Sequence, residues 1–159
     1  MKYRFLTDNE LDLLEDDFQI FLDEEGIAVK KWKDYHRHSP EIAKKLLAKF
    51  SDQIFLKVLV DVEYLEHRSA KSLRLFECRK DKMRMIGIDI GSNSEMDFTK
   101  PCTFQEGEEG TTALKTFQIE REYEMLREDE IYHLMECGCY VVDAEVFTEV
   151  MLYRKMLEN

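Results

Sequence analysis

The spacing of the apolar residues shortens near residue 70 of this chain, and that change limits what it can fold into. Upstream, Ile42, Leu46, Leu47, Phe50, Ile54, Phe55, Val58, Leu59, Val62 and Leu65 recur at three- and four-residue steps, which is the stripe of an amphipathic helix. Ser39-Pro40-Glu41 supplies its start, with a capping serine, a proline at the first helical position and an acid in the first turn. The spacing predicts one long helix ending between Glu66 and Ser69. Downstream the step shortens: Leu73 and Leu75, with Phe76 and Cys78 on the opposite face, precede the polar turn Arg79-Lys80-Asp81-Lys82 and then Met83, Met85, Ile86, Ile88 and Ile90. Two short apolar runs around a polar turn predict a β-hairpin. Phe117, Ile119, Arg121 and Tyr123 alternate as a third strand would, with a helix as the rival reading.

Other signals fill in the ends. Thr7 and Glu10 have the spacing of a capping box. Leu11, Leu14, Phe18, Phe21 and Leu22 then predict a helix over about residues 8–25, closed by Gly26. Ala28 to Tyr35 reads as a short second helix, and Gly91 to Gly110 as a long surface loop. Arg127 to Cys137 carries three acids at its start and Gly138 at its end, as a helix does. Tyr140-Val141-Val142 reads as an extended link, and Asp143 as the cap of a final helix. The expected fold is α+β: N-terminal helices with one long core helix, a small antiparallel sheet, and a C-terminal helix pair. No repeat or linker interrupts it, so residues 1–159 are expected to form a single globular domain.

The chain carries 34 Asp and Glu against 23 Lys and Arg, a net charge of −11. A surface of that sign repels nucleic acid and anionic lipid at long range, so neither is expected as a partner. No apolar run reaches the roughly 18 residues of a membrane span, and the N-terminus lacks the apolar core of an export signal. The expected compartment is the cytoplasm, where the four cysteines stay reduced.

Candidate chemistry is sparse. Cys137 and Cys139 are separated by one residue, whereas zinc or redox pairs usually have at least two between them. They read as structural, and no metal or cofactor is expected. His36 and His38 read as solvated residues of an exposed connector. The acidic triplets at residues 23–25 and 128–130 splay around helices, and no glycine pattern forms a nucleotide cradle. Two basic runs are more informative. Lys30 to Lys49 holds seven Lys and Arg against two acids, and Arg68 to Arg84 another seven against two. Such segregation makes a dipolar surface suited to an anionic ligand, an acidic partner or another copy of the chain. The alternative is the ordinary polar face of amphipathic elements. Glu66, His67 and Arg68 combine an acid, a titratable base and an anion clamp where helix should give way to sheet. They are the candidate ligand-binding residues, set against a plain helix cap in which His67 and Arg68 bond the last carbonyls.

Three segments carry a resemblance: Met-Lys-Tyr-Arg-Phe-Leu-Thr at the start, Val-Glu-Tyr-Leu-Glu-His-Arg-Ser-Ala-Lys-Ser-Leu-Arg-Leu-Phe-Glu-Cys in the middle, and Arg-Glu-Asp-Glu-Ile-Tyr-His-Leu-Met late. Together they resemble a family of small bacterial proteins defined only as a domain of unknown function. The resemblance spans nearly the whole chain and implies a free-standing bacterial cytosolic protein, with no activity to transfer. The leading expectation is a non-enzymatic interaction or regulatory protein with a protein partner or a homodimeric contact. A binder of a small anionic ligand near Glu66, His67 and Arg68 is the alternative, and an enzyme with a site assembled from scattered residues is the third reading.

Overall fold

The computed structural model describes residues 1–92, 94–100 and 114–158, and these confirm an α+β chain. They divide into two compact units, Met1–Val60 and Asp61–Asn159.

The first unit is helical. Thr7 and Glu10 form the expected capping box: Glu10 N–H donates to Thr7 Oγ1 at 3.3 Å and Thr7 N–H to Glu10 Oε2 at 2.7 Å. The predicted helix over 8–25 is two, α1 (Asp8–Leu13) and α2 (Glu15–Glu24), because Leu14 leaves helical geometry at φ −106° and ψ 21°. Gly26, at φ +70°, closes α2 with the paired bonds Ile27 N–H to Leu22 O and Gly26 N–H to Asp23 O. α3 (Val29–His38) runs three residues beyond its predicted end, and Ser39 alone joins it to α4 (Pro40–Val60). Within this unit Leu6, Phe21, Leu22 and Phe50 form the core. Phe18 stacks edge-on against both Trp32 and Phe50, each at 4.9 Å. Asp52 accepts from the backbone N–H groups of Lys2 and Tyr3 at 2.8 Å each, tying the N-terminal segment to α4.

The long helix is shorter than its apolar stripe. It stops at Val60, and Tyr64–Arg68, predicted to be its last turn, is a strand, β1. A stripe at Val62 and Leu65 continues helical spacing by coincidence. Val62 lies before the strand and Leu65 within it, and both are buried.

The second unit is built on a five-stranded antiparallel sheet of order β4-β3-β2-β1-β5. The predicted hairpin is β2 (Ser72–Cys78) with β3 (Lys82–Ile90), and the predicted third strand is β4 (Leu114–Glu122). β5 (Tyr140–Val141), read as a link, pairs with β1 through Leu65 with Val141 and Glu66 with Tyr140. α5 (Arg127–Glu136) and α6 (Ala144–Glu158) complete the unit. Asp143 Oδ1 caps α6, accepting from the N–H groups of Glu145 and Val146.

One face of the sheet carries Leu73, Leu75, Ile86, Ile88 and Ile90, packed with Phe98 and with Phe147 and Val150 of α6. Phe98 lies in the stretch read as a surface loop, yet it is 1% exposed. Its N–H donates to Ala70 O at 3.1 Å, and Lys71 Nζ donates to the carbonyls of Ser94 and Met96 at 2.6 and 2.8 Å. This part of the stretch is anchored to the sheet by one apolar ring and two charge-assisted bonds. The rest of the predicted loop, residues 101–110, lies outside the described residues. On the other face, Phe117 lies over Gly87 and under the Arg74 guanidinium, 4.8 Å from the ring centre.

A Cβ on Gly87 would stand 2.2 Å from the tip of the Phe117 ring. Gly87→Ala is expected to cost about 1 kcal/mol or more by displacing that ring. In a Phe117→Ala background the same change is expected to be neutral or stabilising, which paired urea unfolding curves would show.

Candidate functional site

Alternation along β1 decides the fate of the three candidate residues. Tyr64, Glu66 and Arg68 share one face, and His67 lies on the other with Leu65. Glu66 is 1% exposed. A carboxylate so buried needs partners, and its Oε1 has two: Arg68 Nε, two residues along the same face, and the hydroxyl of Tyr140 at 2.6 Å on the paired strand β5. Arg68 also donates through Nη1 to Phe98 O at 3.4 Å. Burial, then the bond to Glu66, raises the Tyr140 hydroxyl above its usual range and keeps it a donor.

His67 is brought instead against Gly138, whose absent side chain would sit 3.5 Å from the ring. The structure therefore joins Glu66 and Arg68 and separates them from His67. The cap reading of these residues fails with the helix, since they lie in a strand. Tyr140, the third member of the cluster, was invisible in the sequence because two residues of β5 carry no period.

Cys137-Gly138-Cys139 is a helix stop. Gly138 takes φ +100°, Cys139 N–H donates to Leu134 O and Gly138 N–H to Met135 O. That turn leaves Cys137 exposed, 3.8 Å from His133 Nε2, and buries Cys139. Burial pushes the Cys139 thiol to about 11 and the Cys78 thiol to about 12. Among the described residues no three His, Cys, Asp or Glu side chains are placed to hold a metal. His36 and His38 belong to α3 rather than to a connector, and both are exposed.

The two basic runs differ in the fold. In the second, six of seven cations are engaged within the sheet unit. Arg68 meets Glu66, Lys71 two carbonyls, Arg74 Asp89 at 2.8 Å, Arg79 and Arg84 the same Glu77 at 3.0 and 2.7 Å, and Lys82 Glu120 at 2.6 Å. The first run lies on α3 and the first half of α4, and all seven of its cations are exposed. Lys49 pairs with Glu25 at 2.5 Å, and Lys31 lies 5.6 Å from the Tyr35 ring centre. Lys30, Lys33, Arg37, Lys44 and Lys45 have no hydrogen bond or ion pair among the described residues. Val29 and Ile42, 40% and 43% exposed, lie among them.

Comparison with known proteins adds one finding. A model of a family of unknown function (DUF6495) matches residues 1–155. No curated protein and no solved structure matches the chain. Among the described residues no helix is long and apolar enough to cross a membrane.

Glu66→Ala leaves Arg68 and Tyr140 without their shared acceptor and should cost about 2–3 kcal/mol in urea unfolding, with Glu66→Gln costing less. At neutral pH iodoacetamide should label Cys137 in the native protein, and Cys78 and Cys139 only after unfolding, as peptide mapping would show. Because the fold holds Cys78 neutral, its contribution is complete below the ordinary thiol value of 9.0 and is lost as pH rises towards about 12. Cys78→Ala should flatten that alkaline decline.

Proposed function

We propose that this chain, which belongs to a family of unknown function, is a non-enzymatic interaction protein that docks an acidic protein surface on the arm formed by α3 and the first half of α4. The observation that carries this reading is the contrast between the two basic runs. In one, five of the seven cations pair with acids of the sheet unit and Lys71 bonds two carbonyls. The other presents Lys30, Lys33, Arg37, Lys44 and Lys45 to solvent without partners among the described residues. A cationic face on a chain of net charge −11 steers an acidic partner to one place and repels it elsewhere.

Protein is favoured over nucleic acid on two grounds. The overall charge opposes a polyanion as long as a nucleic acid. The aromatic residues of α3, Trp32 and Tyr35, are half-buried, so no row of exposed rings offers a stacking platform. A small-ligand reading at Glu66 and Arg68 is less favoured, because Arg68 is already bonded to Glu66 and Phe98 O. A reducing cytoplasmic setting fits a protein whose Cys137 is an exposed free thiol.

Trp32 is the chain's single tryptophan and lies on α3, so it reports on the arm. Polyglutamate added at low ionic strength should shift Trp32 fluorescence, and raising the salt should reverse the shift. The variant Lys30→Glu/Lys33→Glu/Arg37→Glu should bind at least about tenfold more weakly, whereas Lys80→Glu/Lys115→Glu should bind as the parent does. Equal binding by the arm variant, or tighter binding of a DNA oligonucleotide than of polyglutamate, would refute the proposal.

A further inference from the structure

The acidic surface that the arm fits is present in the chain itself. From Thr7 to Ile27 there are nine Asp and Glu and no Lys or Arg. Asp8, Asp12, Glu15, Asp16, Asp23 and Glu24 have no ion pair or hydrogen bond from their carboxylates among the described residues, and all six are exposed. Six unmatched acids on α1 and α2 thus stand against five unmatched cations on α3 and α4. Among the described residues two ion pairs join this acidic segment to α4 within one copy, Lys49 with Glu25 at 2.5 Å and Lys57 with Asp17 at 3.9 Å.

Each charged face also carries exposed aliphatic residues of the kind that fill an interface centre. Ile20, 58% exposed, falls at helical spacing from Asp16, Asp23 and Glu24 on α2. Val29 is four residues from Lys33 and eight from Arg37 on α3, and Ile42 is three from Lys45 on α4. An apolar centre with a charged rim is the ordinary anatomy of a transient interface. Leu13, 86% exposed, adds a further aliphatic side chain to the acidic segment.

We propose that the occupant of the cationic arm is a second copy of this chain, docked through the acidic face of its α1 and α2. A two-fold axis lets each copy give its acidic face and receive on its basic arm, so the contact occurs twice and closes on itself. The inference rests on the docking reading above and narrows it to one partner. A foreign acidic protein would match the arm and leave the acidic helices unused, whereas a second copy matches both.

Sedimentation velocity of the full chain tests this directly. A dimer is expected at low salt, dissociating as salt is raised. Lys30→Glu/Lys33→Glu/Arg37→Glu and, separately, Asp16→Lys/Asp23→Lys/Glu24→Lys should each weaken self-association at least about tenfold. An equimolar mixture of the two reversed variants should restore a dimer, since their faces are complementary again, and that restoration also shows that both variants fold. Polyglutamate should compete with dimer formation. A parent chain that stays monomeric at low salt, yet binds polyglutamate through α3, overturns the self-association and leaves the docking reading standing. A monomer that binds no polyglutamate overturns both. A dimer indifferent to both reversals overturns the assignment of these faces.

Discussion

A carboxylate withdrawn from water must be compensated where it sits, and Glu66 organises the sheet unit around that requirement. Its Oε1 receives Arg68 from the same strand and Tyr140 from the short edge strand β5. Arg68 in turn reaches Phe98 O, so one buried charge connects β1, β5 and the segment that closes the apolar face. β5 is only two residues long, and two ladder pairs give little stability alone. The hydroxyl bond to Glu66 adds a polar tie across that pairing. The same engagement removes Arg68 from service as a free anion clamp, and the strand's alternation sends His67 to the opposite face.

Charge is handled differently in the two units. In the sheet, cross-strand neighbours convert much of a basic run into ion pairs: Glu77 lies opposite Arg84, and Asp89 lies two residues along β3 from Gly87, the partner of Arg74. Antiparallel pairing brings such residues within reach whatever their separation in sequence. In the helical unit the cations of α3 and early α4 and the acids of α1 and α2 project into solvent, with two ion pairs between the acidic segment and α4 among the described residues. Exposed single charges contribute little to stability. Their concentration by sign therefore serves recognition better than folding.

Much of the architecture was legible because its signals are local. The Thr7–Glu10 box, the Ser39-Pro40 start, the Gly26 and Gly138 stops and the β2–β3 hairpin each depend on neighbours within a few residues. The differences between expectation and structure share one cause. Val62 and Leu65 keep helical spacing, so the stripe runs on over β1. Tyr140 and Val141 are too few to show a period, and Phe98 has only Met96 beside it among polar residues. In each case the deciding partner is distant in sequence: Phe76 and Val141 beside Leu65, Leu73 and Ile88 in the cluster with Phe98.

The sequence by itself determined the α+β class, the helix caps, the hairpin and the existence of two basic runs, since composition and short-range hydrogen bonding set these. Only the tertiary structure decided which charges are spent and which are free. A lysine reads the same in the chain whether or not an acid lies opposite it. Acids and carbonyls of the sheet unit engaged most of one run, and the outward faces of two helices left the other exposed, because partnership is a property of space rather than of order along the chain.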